Sequence, residues 1–147
     1  MTPKTLLVPI DFSQASERAL DYACALAAQL GAKVHIVNAL GAGLPELNVT
    51  LSDAMFKSLR DGHEAALAKL VDPRRALVAI GETLVREGDP RDIIVEVAEK
   101  LGVDLVVMGT HGRRGLSRMF LGSVAEDVSR RSPCPVLLVR MKKGESQ

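Results

Sequence analysis

The chain has 147 residues, a length at which a single domain buries roughly 70% of the surface that its unfolded chain would expose. Its 19 basic and 18 acidic residues leave a formal net charge of +1, and only 3% of its residues are aromatic. The charge balance argues against a surface-wide field for nucleic acid or membranes, and the scarcity of aromatic side chains argues against a base-stacking platform.

The first half of the chain alternates between strand and helix patterns. An apolar run over 4–10 predicts a strand covered on both faces, and apolar residues at helical spacing over 16–30 predict a helix that Gly31 ends. A second strand is predicted over 34–39, before a stretch broken by glycine and proline. A second helix is predicted over 52–70. Its apolar residues lie on or near one stripe: Ala54, Met55, Leu59, Ala66, Leu67 and Leu70.

The second half continues the alternation. The run over 83–87 predicts a third strand, whose polar residues place it nearer an edge of the sheet. Asp89 as N-cap and Pro90 at the first helical position predict the start of a third helix, which Gly102 ends. The remaining elements are a strand over 104–108, a helix opened by Gly122 or Ser123, a strand over 135–140 and a polar tail over 141–147.

This alternation is typical of βαβ units. It predicts one α/β domain over 1–147, built on an open five-stranded parallel sheet with helices on both faces. Cys24 and Cys134 form no Cys-x-x-Cys pair, and we interpret both as small buried apolar residues. No basic segment followed by a long apolar run opens the chain, and no stretch approaches the ~20 apolar residues of a membrane span, so we expect a cytoplasmic protein without membrane insertion.

The most informative stretch runs over 105–124. An apolar strand is followed by Gly109, two residues, Gly112, nine residues and Gly122-Ser123. A strand that ends in a loop of small residues and then opens a helix leaves backbone N–H groups pointing at one spot, where the helix dipole favours an anion. The stretch therefore predicts, in outline, a phosphate-binding loop between the end of this strand and the helix that follows it.

Several of these residues also fit purely structural roles. Ser123 and Glu126 fit a capping box in which Ser123 is the N-cap. Asp11, at the end of the first strand, fits an acceptor for a ribose hydroxyl or an adenine amino group, or a cap beside Ser13. Because a carboxylate repels phosphate, we place Asp11 at the nucleoside end.

The loop between Gly109 and Gly122 also carries residues with two interpretations. His111 is either a donor to phosphate or an exposed loop imidazole. Arg113, Arg114 and Arg118 either screen the charge of the phosphates or are solvated surface residues.

The reaction motifs of nucleotide-converting enzymes do not occur in this sequence. There is no Gly-x4-Gly-Lys-Ser/Thr, no dinucleotide fingerprint after the first strand, and no nucleophile and base at a recognisable spacing. These features favour a chain that holds a nucleotide and does not turn it over.

The spacing Gly-x2-Gly-x9-Gly-Ser resembles the nucleotide-binding signature of the universal stress protein family, in its ATP-binding branch. The rest of the chain is similar to that family at three further landmarks: Leu6-Leu7-Val8-Pro9-Ile10-Asp11-Phe12-Ser13, Gly88-Asp89-Pro90 and Ser132-Pro133-Cys134-Pro135-Val136-Leu137-Leu138-Val139. Four ordered landmarks are far more specific than one glycine pair.

The resemblance implies a Rossmann-like strand order of 3-2-1-4-5, with the ligand bound beyond Pro9 and Gly109 where the order reverses. It implies that Asp11 contacts the nucleoside and that Ser123 and Val124 hold phosphate oxygens. It also implies that the nucleotide contacts further residues around the pocket: the backbone of Val37 and Asn38, and walls made by Met108 and Gly88. Val37 and Met108 fit plain core positions equally.

For function, the resemblance implies an ATP-binding regulatory module of the stress response, whose nucleotide occupancy is the signal to an unidentified protein partner. It also implies a homodimer formed through the strand that contains Val136 to Val139. Two alternatives stay open: a slow ATPase or autophosphorylating enzyme, and a dimeric interaction module without nucleotide. The residues also leave open whether Mg accompanies ATP and whether AMP, ADP or cyclic AMP takes its place.

Overall fold

The computed structural model describes residues 2–41, 52–111 and 121–141. The predicted polar tail therefore lies outside the described residues, apart from Met141. Strands and helices alternate as the sequence predicts. In chain order they are β1 (Thr5–Pro9), α1 (Gln14–Leu30), β2 (Lys33–Leu40), α2 (Asp53–Val71), a 3-10 helix (Asp72–Ala76), β3 (Ala79–Glu87), α3 (Pro90–Leu101), β4 (Leu105–Gly109), α4 (Ser123–Arg131) and β5 (Val136–Val139).

The five strands form one all-parallel sheet in the order β3-β2-β1-β4-β5, which confirms the predicted topology. The central strand β1 pairs with β2 from Thr5 to Pro9 and with β4 at Leu6 and Leu7. The chain leaves β1 toward one edge of the sheet and leaves β4 toward the other. The carboxyl ends of these two strands therefore flank a topological switch point.

Two cores form because successive side chains of a strand point to opposite faces. Leu6 and Val8 pack with α1 and α2 on one face, whereas Leu7 and Val106 pack with α3 and α4 on the other. The central strands are thus buried on both sides, which explains their continuous apolar runs. Among the described helices, none is both long and apolar enough to cross a membrane.

The predicted helix ends at three positions are confirmed by cap geometry. Gly31 (φ +67°) and Gly102 (φ +60°) adopt the left-handed conformation at the ends of α1 and α3. Asp89 caps the start of α3 by accepting from the amide of Arg91, and Pro90 is the first helical residue. The helices therefore begin and end where local residue chemistry directs them.

The apolar stripe predicted for α2 is only partly right. Leu67 is buried and Leu59 is half-buried, but Ala54, Met55 and Ala66 are exposed. The contacting series runs through Phe56, Leu59, His63, Leu67, Leu70 and Val71. Most of these residues follow one another at intervals of three or four, so the buried face lies to one side of the predicted stripe.

A buried histidine joins β2 to β3 where the register of their pairing shifts, between Val34 and Ile36. His35 is 8% exposed, and its Nδ1 accepts a hydrogen bond from the amide of Glu82 at 2.8 Å. A Cβ on Gly81 would lie 2.4 Å from Cε1 of that imidazole, so only glycine leaves room for the ring.

Low pH is expected to weaken this contact between β2 and β3. Burial lowers the pKa of His35, and the charge of Lys33 acts in the same direction. The unfolded chain, with an ordinary histidine pKa of about 6.5, then takes up a proton before the folded protein does. The free energy of unfolding should fall as pH drops below about 6.5, with a slope of up to about 1.4 kcal/mol per pH unit for this one proton. Urea denaturation across this range measures it.

His35→Gln is the control for this pH dependence, because glutamine retains an acceptor and does not titrate. We expect its profile to be flatter than that of the wild type by the contribution of one histidine. Identical profiles for the two proteins would show that His35 does not cause the acid sensitivity.

Candidate functional site

A cavity of about 500 Å³ opens at the switch point, a size suited to a small-molecule ligand. The carboxyl ends of β1 and β4, the end of β2 and the starts of α3 and α4 surround it. The structure brings together nine residues predicted for the site: Pro9, Asp11, Val37, Met108, Gly109, His111, Gly122, Ser123 and Val124. Another predicted site residue, Gly112, lies outside the described residues, as do Arg113, Arg114 and Arg118.

Asp11 lies half-buried in the turn between β1 and α1. Its Oδ1 accepts from the amide of Ser13 at 2.9 Å, and its own amide donates to Oγ of Ser16 at 3.3 Å. Ser13, not Asp11, is the N-cap of α1, because its Oγ accepts from the amide of Ser16. The structural interpretation of Asp11 as a helix cap is therefore replaced by a role in shaping the turn, at the edge of the cavity.

The walls beside this turn are apolar. Val37 is 1% exposed and Met108 is 5% exposed, and both belong to the core while also lining the cavity. Gly109 follows Met108 at the end of β4. A Cβ there would lie 3.1 Å from the carbonyl oxygen of Ala15, so the close packing of α1 against β4 favours glycine at this position.

The start of α4 presents backbone donors to the cavity. Gly122 is the N-cap, and the first intrahelical bond runs from the amide of Glu126 to the Gly122 carbonyl. The amides of Ser123, Val124 and Ala125 precede this ladder and have no acceptor within the helix. Their N–H groups and the positive end of the helix dipole suit an anion.

This geometry corrects the capping-box interpretation of Ser123. Ser123 is the first helical residue, and a glycine stands at the cap position, where no side chain is available to accept from the helix start. Among the four α-helices that the structure describes, the other three carry side-chain caps from Ser13, Ser52 and Asp89. The exposed hydroxyl of Ser123 therefore lies beside the cavity without serving as a cap.

The start of α3 forms a wall that sequence reasoning did not assign to the site. Asp89, Pro90 and Arg91 line it, whereas Gly88, which was predicted there, is not among the lining residues. Gly88 has φ +141°, and a Cβ would lie 2.9 Å from Cδ1 of Ile93. The family landmark Gly88-Asp89-Pro90 was the sequence feature that could have placed the start of α3 at the site. The lining residues without any sequence prediction for the site are Ile10, Ser16, Ala39, Asp89, Pro90, Arg91, Ile94 and Ala125.

A fixed ion pair stands on this wall. Arg91 donates from Nε to Oδ1 of Asp89 at 3.0 Å and from Nη2 to Oδ2 at 2.6 Å. These hydrogen bonds, with one from the Arg91 amide, lower the pKa of Asp89 to about 2. The carboxylate thus stays ionised in neutral solution, and the pair offers the cavity a nearly neutral, oriented edge.

The structure also shows the surroundings of His111 and of the two cysteines. His111 is half-buried, and its Nδ1 lies 3.1 Å from Oγ1 of Thr110, so it is not a freely exposed imidazole. Cys24 is buried, as predicted, and burial raises the pKa of its thiol, whereas Cys134 is only half-buried. Within the described ranges, no group of three or more His, Cys, Asp or Glu residues is arranged to hold a metal ion.

Comparison with known proteins agrees with this architecture. The profile of the universal stress protein family matches residues 2–140. Universal stress protein MJ0531 of Methanocaldococcus jannaschii is 35% identical over 146 residues, covering 97% of this chain and 85% of that protein. The solved structure of MJ0577, from the same organism, superposes on this chain with a TM-score of 0.83 at 26% sequence identity. The match covers 98% of this chain and 100% of the MJ0577 chain. A crystal structure of a universal stress protein in complex with cAMP matches with a TM-score of 0.70 at 32% sequence identity. That match covers 95% of this chain and 98% of the other chain.

Proposed function

Because the chain belongs to the universal stress protein family, we propose that the cavity at its switch point binds an adenine nucleotide, with ATP as the first candidate. The protein is then a cytoplasmic module of the stress response whose nucleotide occupancy is read by a protein partner. One observation carries the proposal: a carboxylate, two apolar walls and a helix start whose N-cap is a glycine surround a single cavity. The relative in complex with cAMP supports an adenine ligand.

The chemistry of the two ends gives the ligand a direction. The amides of Ser123 and Val124 and the Ser123 hydroxyl donate to phosphate oxygens at the start of α4. Asp11 accepts from a ribose hydroxyl or the adenine amino group, and its charge disfavours phosphate at its own end. Val37 and Met108 bury the faces of the base between these ends.

The direct test is to identify what the purified protein carries and what it binds. Mass spectrometry of ligand released by denaturation is expected to show an adenine nucleotide, and calorimetry is expected to show binding of ATP, with and without Mg. Phosphate release in the same samples measures turnover, which we expect to be weak or absent. A ligand-free protein that gives no heat with ATP, AMP, ADP or cyclic AMP would refute the proposal.

Replacing Asp11 tests the assigned direction. Asp11→Ala is expected to weaken binding of adenosine nucleotides by about 1–3 kcal/mol, the scale of a hydrogen bond to a charged group. Inorganic tripolyphosphate, which has no nucleoside, should bind with little change. Calorimetry of both ligands measures the difference.

Two variants control for the loss of the turn contact and for the loss of a charge. Asp11→Asn keeps an oxygen that accepts from the Ser13 amide, so a weakening shared with the alanine variant points to the missing charge. Asp61→Ala removes an exposed carboxylate on α2 that does not line the cavity, and should leave both affinities unchanged. If Asp11→Ala strengthens ATP binding, the carboxylate lies near the phosphates and the direction is reversed.

A further inference from the structure

A buried hydrogen-bond relay joins α2 to the turn that carries Asp11. Asn38 on β2 is 3% exposed, and its Nδ2 donates to the carbonyl oxygen of Ile10 at 2.7 Å. Its Oδ1 lies 2.9 Å from Nδ1 of His63 on α2. Because a carbonyl oxygen only accepts, Nδ2 must face Ile10. The Asn38 Oδ1 therefore accepts from the Nδ1–H group of His63, which fixes the tautomer of that ring.

The turn that this relay reaches is held in a strained conformation. Phe12 has φ +65°, and it is the one non-glycine residue with positive φ in the described part of the chain. A phenylalanine leaves this region unless its neighbours hold it there. The ring of Phe12 packs edge-on against that of His63, with centroids 5.6 Å apart and planes at 86°. The relay and the ring contact both connect the turn to α2.

Strand β2 holds both backbone polar groups of the residue that precedes Asp11. The amide of Ile10 donates to the carbonyl of Val37 at 2.8 Å, and the carbonyl of Ile10 accepts from Asn38. Asp11 in turn accepts from the amide of Ser13. The direction of the Asp11 carboxylate therefore depends on where Asn38 and Val37 hold Ile10.

We infer that Asn38 and His63 are positioning residues for the nucleoside end of the cavity, an inference that rests on the proposed function. Neither residue lines the cavity, so the structure does not place Asn38 at the wall where a backbone contact with the nucleotide was predicted. Asn38 fixes Ile10 and so aims Asp11, while the Nδ1–H group of His63 anchors the Asn38 carboxamide to α2. Helix α2 thereby influences nucleoside affinity through the turn, without contacting the ligand.

The central experiment replaces Asn38 with aspartate, which keeps the side-chain shape but sets an oxygen against the Ile10 carbonyl. Asn38→Asp is expected to bind AMP about tenfold more weakly, equivalent to about 1.4 kcal/mol. Its affinity for tripolyphosphate should stay within about twofold of the wild type, because the start of α4 is untouched. His63→Phe keeps an aromatic ring against Phe12 and removes only the donor to Asn38, so we expect a smaller loss in the same direction.

Hydrogen exchange of the nucleotide-free protein gives a readout that needs no ligand. The amides of Ile10 and Ser13 should exchange faster in Asn38→Asp than in the wild type, relative to the rest of the protein. Leu67→Ala is the matched control, because Leu67 is a buried side chain of α2 outside the relay. It should lower overall stability without changing the relative exchange of the turn or the ratio of AMP to tripolyphosphate affinity.

Two results would overturn the inference. One is unchanged exchange of the turn in both Asn38→Asp and His63→Phe. The other is an equal loss of AMP affinity in Leu67→Ala, which would make the effect one of general stability. A wild-type protein that binds no adenine nucleotide contradicts the proposed function instead, and the exchange measurements then still decide whether the relay holds the turn.

Discussion

Replacing Gly122 with valine is expected to reduce ATP affinity by about 100-fold or more, equivalent to about 2.7 kcal/mol, while the fold persists. Gly122 has φ −63° and ψ 151°, an extended conformation that any residue adopts, so the backbone does not require glycine here. The residue is buried at the cavity wall, and its amide donates to the carbonyl of Thr110 at 2.7 Å. A branched side chain would therefore act by filling the space through which a phosphate reaches the start of α4.

Gly62→Val is the matched control for this substitution. Gly62 lies within α2, and a Cβ there would meet nothing within 4 Å. The same side chain is thus added in open space, and both ATP affinity and fold should be retained. Calorimetry measures affinity, and circular dichroism with thermal unfolding verifies that each variant is folded. Unchanged ATP affinity in a folded Gly122→Val protein would show that the phosphates do not approach this glycine.

The parts of the fold that the sequence predicts well are those set by local chemistry. Gly31 and Gly102 end helices because glycine adopts the left-handed conformation without a Cβ clash, and Asp89-Pro90 starts one because both residues suit a helix N-terminus. The start of β3 was predicted four residues late, at Thr83 instead of Ala79. Its first residues include Glu82, whose amide donates to Nδ1 of His35, 47 residues away in sequence, and so joins the sheet partly through a side chain.

The candidate site also has one part that the sequence predicts and one part that only the structure reveals. The phosphate end follows from a local spacing of glycines, and the structure places Gly109, Gly122 and Ser123 at one cavity. The relay from Asn38 to His63 joins residues 25 apart that share no motif, so only the packing of α2 against β2 reveals it. Ligand binding at Gly109, Gly122 and Ser123 stays a prediction, which Gly122→Val tests at the phosphate end. Asn38→Asp tests the nucleoside end through the turn that carries Asp11.

The last strand is expected to pair with a second copy of itself, so that the protein is a homodimer. β5 lies at the edge of the sheet beside β4, and Val136, Leu137 and Leu138 are only half-buried. An apolar edge with unpaired backbone groups favours association unless it is covered. Pairing across a two-fold axis covers it with one self-complementary interface, and the family resemblance implies the same strand.

Leu138→Lys tests this interface, because it places two like charges near the two-fold axis. We expect the dimer to dissociate at least about tenfold more readily, as measured by sedimentation at tens of micromolar, with the nucleotide cavity retained, since Leu138 does not line it. Leu77→Lys is the control: Leu77 is 72% exposed and precedes β3 at the opposite edge, so an added lysine there should leave association unchanged. The competing interpretation is a monomer whose sheet edge is protected by Pro133, Pro135 and the lysines at 142–143. The two lysines lie outside the described residues. A monomeric wild type, or an undiminished dimer of Leu138→Lys, would rule out this interface.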